Sequence, residues 1–94
     1  MDKPRFTLVP MDALWAVAQV MSFGSAKGYA DEGWRGRSIL YHADAALRHL
    51  GAHLRGEDID QESGLPALAH AAARVMMMLD LFLAQQEEDK DAPK

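Results

Sequence analysis

One long apolar segment, residues 65–84, limits what this chain can fold into more than any other feature of its sequence. Apolar side chains recur along it at helical spacing in two stripes, which would cover most of the circumference of a helix. The segment also contains His70, Arg74 and Asp80, and a membrane span rarely tolerates three such groups. We therefore predict a helix that is buried in protein, with no membrane as partner.

Two further helices are predicted ahead of it. A short helix is expected over residues 10–22, because proline suits a first helical turn and Gly24 is a natural stop. The apolar helix should begin after an N-cap at Ser63, with Pro66 in its first turn, and run to about residue 86. Between them, a long basic helix over residues 38–55 would have a heptad-like apolar seam, formed by Leu40, Ala43, Leu47, Leu50 and Leu54.

Two partner helices from the same chain do not offer enough surface to cover the apolar helix. We therefore predict the all-α fold class, a small three-helix unit (short helix, long basic helix, long apolar helix) that assembles as a homo-oligomeric helical bundle. Residues 1–86 should form a single helical domain, followed by a charged disordered tail at residues 87–94. Residues 6–9 are expected to be an extended arm, lying along a neighbouring subunit or frayed.

The composition narrows the function classes. The sequence has no cysteine, so neither disulfides nor thiolate chemistry are available, which fits a reducing, cytoplasmic location. The charged N-terminus shows no signal-peptide core, which agrees with that location. A formal net charge of −4 argues against a general nucleic-acid binder, and no specific nucleic acid is expected as partner.

A local excess of basic residues nevertheless predicts an anion site on the long basic helix and the loop before it. Arg37, Arg48 and Arg55 outnumber Asp44 there, and Lys27 lies in the preceding loop. Guanidinium and ammonium groups pair well with phosphate. The alternative is a solvated face whose arginines pair with the acidic residues that follow the helix.

Histidines and aromatic residues extend this predicted site. His49 and His53 share a helical face, but two ligands leave a zinc tetrahedron unfinished, so packing or hydrogen bonding to a ligand is preferred. His70 is either a satisfied core histidine or a polar group facing the cavity of an oligomer. Tyr29 and Trp34 either stack on a base or fasten the loop to the bundle.

Acidic residues crowd the connector before the apolar helix, at Glu57, Asp58, Asp60 and Glu62. Clustered carboxylates suit magnesium, which usually takes one or two of them together with phosphate oxygens. The alternative is a solvated connector whose acids favour the positive end of the following helix.

Several blocks of the sequence resemble a known family, the N-terminal domain of phage dATP/dGTP diphosphohydrolases. The blocks are Phe23-Gly24-Ser25-Ala26-Lys27, Ala46-Leu47-Arg48-His49-Leu50, Gly56-Glu57-Asp58-Ile59-Asp60 and Glu62-Ser63-Gly64-Leu65-Pro66, within residues 5–83. The resemblance implies an all-α fold related to the MazG-like nucleotide pyrophosphohydrolases. It also implies magnesium-dependent cleavage of a purine deoxynucleoside triphosphate to its monophosphate and pyrophosphate.

The sequence departs from the MazG-like pattern at the metal ligands. Those enzymes have a Glu-x-x-Glu pair on one helix and a Glu-x-x-Asp pair on the next. Here the long basic helix offers Asp44 alone, and the apolar helix offers Ala67 and His70. The resemblance therefore supports ligand binding more than hydrolysis, and whether the protein is an enzyme stays open.

We predict a phage-type nucleotide-binding protein that holds a purine nucleotide in a basic pocket and sequesters a nucleotide immune signal of the host, in the host cytoplasm. The predicted ligand-binding residues are Lys27, Tyr29, Trp34, Arg37, Arg48, His49, His53 and His70. The alternative is a magnesium-dependent pyrophosphohydrolase acting on dATP and dGTP. Only in that case would the metal ligands be Asp44, Glu57, Asp58 and Glu62.

Overall fold

The structure, a computed structural model, describes residues 2–91, and the side chains of residues 2–89. This part of the chain forms three α-helices, α1 (Met11–Ala26), α2 (Ile39–Leu54) and α3 (Ala67–Asp91). Two short 3₁₀ helices, Phe6–Leu8 and Gly33–Gly36, lie ahead of α1 and α2. Residues 2–91 contain no strand, so the all-α fold with three helices is confirmed.

Helix α1 continues to Ala26 instead of ending at Ser22, and Gly24 lies inside it. The stop is Gly28, whose φ of 95° is a left-handed conformation that favours glycine. The N–H of Tyr29 donates to the Gly24 carbonyl at 3.3 Å, and the N–H of Gly28 to the Ser25 carbonyl at 3.0 Å. These two bonds form a Schellman motif, so Gly28 ends the helix and Gly24 does not.

Helix α2 lies within one residue of each predicted end. Its N-cap is Ser38, whose hydroxyl accepts a hydrogen bond from the Tyr41 N–H at 3.0 Å. Residues 6–9, expected to be extended, instead close a short 3₁₀ turn in which the Leu8 N–H donates to the Arg5 carbonyl at 3.1 Å.

The start and the end of α3 both differ from the prediction. Ser63 is not its N-cap, because the helix begins at Ala67 and the connector folds back, with the Ala67 N–H donating to the Asp58 carbonyl at 2.8 Å. At the other end α3 includes residues 87–91, which were predicted to be disordered. Glutamine and glutamate are good helix formers, so the helix extends beyond its apolar part. Residues 92–94, the rest of the predicted tail, lie outside the described residues.

Helices α2 and α3 pack against each other, and most of their buried side chains are small. The buried alanines are Ala45 and Ala46 on α2 and Ala67, Ala69, Ala71 and Ala73 on α3. His42 is fully buried among them, whereas α1 contributes a single buried residue, Val17. Small side chains allow helix backbones to come close, and this core also encloses one polar ring, that of His42.

The leucine seam of α2 faces away from this core, although its periodicity predicted the opposite. Leu40, Leu47 and Leu54 are 81%, 66% and 76% exposed. The face that meets α3 instead contains His42 and His49, which contact Arg74 and His70. Periodicity identifies an apolar face, but it does not show whether that face meets the same chain or another one.

By length and mean hydropathy, α3 between Ala67 and Asp89 would also qualify as a membrane span. The core helix of a soluble protein passes the same test. Here Arg74 bonds to α2, His70 to the connector and Asp80 to Arg35. We therefore interpret α3 as a helix that packs against protein.

Enlarging a side chain in the α2–α3 interface should test this packing. Ala45 is 2% exposed, and Ala45→Leu should lower the free energy of unfolding by about 1–3 kcal/mol, because the helices must move apart. Urea denaturation followed by circular dichroism measures the change. Ala84→Leu, at an exposed position of the same helix pair, should change stability by less than about 0.5 kcal/mol. Equal effects of both substitutions would contradict the alanine interface.

Candidate functional site

A cleft of about 540 Å³ opens between the end of α1, the loop before α2, and the facing sides of α2 and α3. The loop follows Gly28 out of α1 and is held near α3 by the ion pair of Arg35 with Asp80, at 2.7 Å. Six of the eight predicted ligand-binding residues line this cleft, namely Lys27, Tyr29, Trp34, Arg37, His49 and His70. The structure thus brings together residues that are far apart in the sequence.

The other two predicted residues, Arg48 and His53, do not line the cleft. The Arg48 guanidinium pairs with the Asp44 carboxylate at 2.9 Å on the exposed surface of α2. His53 Nδ1 is 3.2 Å from a carboxylate oxygen of Asp58, without the alignment of a hydrogen bond. Arg48 immediately precedes His49 on α2, so its side chain points away from α3. His53 lies one turn beyond the cleft.

The four predicted metal ligands do not converge. Each has a different basic partner: Asp44 pairs with Arg48, Glu57 with Arg55, Asp58 with His53, and Glu62 with Lys27. Within the part of the chain that the structure describes, no group of three or more histidine or carboxylate side chains is arranged to hold a metal ion. These donors therefore do not fit a magnesium centre within one chain.

Two histidines stack in the wall of the cleft. The rings of His49 and His70 lie 4.7 Å apart at an angle of 22°. His70 Nε2 is 2.7 Å from the Ser63 hydroxyl oxygen, which is 2.9 Å from Asp60 Oδ2. A carboxylate only accepts, so the single Ser63 hydrogen goes to Asp60 and His70 Nε2–H donates to Ser63. The connector thereby fixes the orientation of the His70 ring.

The surroundings shift the pKa values of these groups. Burial lowers the pKa of His49 below its ordinary value of 6.5, and the neighbouring His70 lowers it further. Burial also lowers the pKa of His70, against the opposing effect of Asp60. Burial alone would raise the pKa of Asp60, but the hydrogen bonds from Ser63 outweigh it and the net shift is downward. Both histidines are therefore neutral near pH 7, with Asp60 ionised.

The cleft residues that the sequence analysis did not predict include Tyr41, His42 and Arg74. Arg74 Nη1 is 3.0 Å from His42 Nδ1, and its guanidinium carbon lies 5.8 Å from the centre of the Tyr41 ring. Arg37 lies 4.8 Å from the same ring. The available signal for Arg74 was its place in the apolar segment 65–84, where a cation needs a polar partner or a ligand.

The cations of the cleft differ in whether a carboxylate neutralises them. Lys27 pairs with Glu62, which raises the lysine pKa, and it also lies 5.5 Å from the Tyr29 ring. Arg37 and Arg74 have no carboxylate of residues 2–89 within 4.0 Å. Two guanidinium groups next to Tyr41 thus keep their positive charge in a protein of net charge −4. An anionic ligand would be attracted to them.

Comparison with known proteins places the chain in a family. A family model described as "dATP/dGTP diphosphohydrolase, N-terminal" matches residues 1–91. The chain belongs to this family. The dATP/dGTP diphosphohydrolase of Salmonella phage PMBT28 is 35% identical over 79 residues, which are 84% of this chain and 24% of that relative. The match thus spans about a quarter of the relative's length. No solved structure matches.

The two stacked histidines should make the protein less stable in mild acid. Their pKa values lie below 6.5 in the folded protein, so the unfolded chain takes up more protons once the pH falls below that value. The free energy of unfolding should decrease from about pH 7.5 to about pH 5.5. Urea denaturation at each pH measures it.

His49→Gln should weaken this pH dependence, because it removes one partly buried imidazole whose pKa is lowered by burial and by His70. His53→Gln, outside the cleft, should retain the pH dependence of the unchanged protein. A domain that is as stable at the lower pH as at the higher one would contradict the assignment of two neutral, partly buried histidines.

Proposed function

We propose that the cleft binds a purine deoxynucleoside triphosphate and provides nucleotide recognition for dATP/dGTP diphosphohydrolase-type chemistry. The observation behind this proposal is the cleft itself, which combines uncompensated guanidinium groups with exposed aromatic rings in an acidic protein. Guanidinium groups suit phosphate oxygens, and aromatic faces suit bases. Family membership and the name of the phage relative support a purine deoxynucleotide as the ligand.

The two predicted aromatic residues have different surroundings. Tyr29 is 66% exposed, so a face of its ring is available to stack on a base. Trp34 is covered by the guanidinium of Arg35 at 4.2 Å and meets the edge of His42. We therefore propose base stacking for Tyr29, and for Trp34 the role of fastening the loop to the bundle.

Retention of the nucleotide without cleavage is a second candidate function. The observation in its favour is the dispersal of the carboxylates, each of which faces its own basic partner. Phosphoanhydride cleavage needs groups that neutralise the phosphate charge and position a water molecule. Retention alone would suffice to sequester a nucleotide signal made in host defence. In a hydrolase, the metal ligands would come from a second subunit or from another part of a longer protein.

A nucleotide panel separates these functions. We expect dATP and dGTP to raise the unfolding free energy by about 2.7 kcal/mol at a concentration of about one hundred times Kd, with dCTP and dTTP giving less. Binding should weaken as salt screens the charges. Thermal shift measures nucleotide binding, and chromatography of the products, with and without magnesium, measures cleavage.

Little pyrophosphate should form with this chain alone. If magnesium or manganese allows many turnovers, and Glu57→Gln or Glu62→Gln abolishes them, retention is excluded and hydrolysis stands. If neither purine nucleotide shifts the melting temperature at low salt, the proposal of a nucleotide cleft fails.

We further propose that the functional form is a homo-oligomer, because apolar surface remains uncovered on all three helices. It includes Trp15 on α1, Leu47 on α2 and Phe82 on α3, which are 71%, 66% and 47% exposed. Large exposed apolar surface often marks an interaction site. A second copy of the chain would cover the α2 leucine seam as well as the outer side of α3.

Light scattering at micromolar concentration should therefore give a multiple of the 10.4 kDa chain mass. Leu47→Glu places a charge in the seam and should reduce that mass, because a buried unpaired charge opposes association. Gln61→Glu adds the same charge to the exposed connector and should leave the mass unchanged. A stable monomer would overturn the proposal.

A further inference from the structure

We infer that Arg74 is the main phosphate-binding residue of the cleft, and that the buried His42 is its positioning residue. The inference rests on the proposed nucleotide-binding function and names the groups that would give it specificity. The observation behind it is the hydrogen bond between Arg74 on α3 and His42 on α2. Here a histidine accepts from the arginine, where a carboxylate would usually do so.

The hydrogen bonds of His42 define its protonation state. His42 Nε2 lies 2.8 Å from the Trp34 carbonyl oxygen, and because a carbonyl only accepts, Nε2 must hold a hydrogen. His42 Nδ1 lies 3.0 Å from Arg74 Nη1, and because a guanidinium only donates, Nδ1 must offer a lone pair. The ring is therefore neutral, with its proton on Nε2.

His42 is also held rigidly. Its side chain is 0% exposed, and both of its ring nitrogens are bonded. The rings of Trp34 and Tyr41 meet it edge to face at 6.3 and 5.5 Å. The Nδ1 lone pair therefore has a fixed direction, and it fixes one N–H of Arg74 in turn.

A neutral acceptor orients an arginine without cancelling its charge. In this protein Arg35, Arg48 and Arg55 are each oriented by a carboxylate, which cancels most of the charge that they could offer to a ligand. Arg74 keeps its full charge and, with one of its five N–H groups bonded to His42, has four left for phosphate oxygens. This is the arrangement that a preorganised anion site needs.

The position of Arg37 indicates which phosphates are recognised. Arg37 and Arg74 both lie against Tyr41, at 4.8 and 5.8 Å from its ring centre. Two guanidinium groups around one ring suit a ligand with more than one phosphate, so we expect nucleoside triphosphates to bind more tightly than monophosphates. Arg74 should account for a large part of that difference.

Calorimetric titration of the intact chain with dGTP and with dGMP, in magnesium-free buffer, tests the role of Arg74. Arg74→Gln should weaken dGTP binding by at least about tenfold and dGMP binding by less. Arg55→Gln removes the same charge from an exposed ion pair outside the cleft, and should leave dGTP affinity within about twofold. If the unchanged protein binds dGTP and Arg74→Gln binds it equally well, the inference fails while the proposed function stands. If the unchanged protein does not bind dGTP, the proposed function itself fails.

Two substitutions of His42 separate positioning from a merely structural role. An asparagine oxygen can replace Nδ1 as the acceptor for Arg74, whereas a glutamine reaches the position of Nε2 and can bond only to the Trp34 carbonyl. We expect His42→Asn to keep dGTP affinity within about threefold and His42→Gln to lose about tenfold. The double substitution His42→Gln with Arg74→Gln should bind no more weakly than Arg74→Gln alone. Additive losses, or equal affinities for the two His42 variants, would overturn the positioning role.

If the His42 variants do not fold, the unchanged protein still decides the question. A ¹H–¹⁵N correlation spectrum of the imidazoles should show a hydrogen on Nε2 and none on Nδ1 of His42, with and without dGTP. A protonated Nδ1 would show that His42 does not accept from Arg74 and would contradict the inference.

Discussion

Helices α2 and α3 bury mainly alanines and one histidine, and these side chains determine where the polar groups of the domain are placed. Ala45 and Ala73, 2% and 1% exposed, leave room for close packing but contribute little apolar volume. The larger side chain in the same interface is His42, which is enclosed and bonded at both nitrogens. Because the inner face of α2 contains alanine and histidine, its leucines remain on the outer face.

The cleft follows from that arrangement together with the pairing of charges. A protein with a net charge of −4 can attract an anion only where its positive charges are not neutralised. Most of its basic side chains near the helices face a carboxylate, whereas Arg37 and Arg74 share the side of Tyr41. The stacked pair of His49 and His70 completes the wall with neutral rings. Charge placement, more than total charge, thus defines the candidate site.

Local signals in the sequence predicted that three helices form, but not all of their ends and not their packing. Ser38 identified the start of α2, whereas Gly24 suggested too early an end for α1, because the left-handed residue that stops the helix is Gly28. The basic residues, together with the histidines and aromatic residues predicted around them, led to six cleft residues. Arg74 was missed because its partner is 32 positions away, and such a tertiary contact leaves no local pattern. Glu57, Asp58 and Glu62 are close together along the chain, but each of them faces a different basic side chain.

The central claim is that the phosphates of a purine nucleotide lie in the cleft beside Tyr41. A crystal structure of the protein with a non-hydrolysable dGTP analogue tests it most directly. The account predicts phosphate oxygens within about 3 Å of the Arg74 guanidinium, with Arg37 next to a second phosphate. Phosphates bound instead on the outer face of α2, at Arg48 and Arg55, would contradict it.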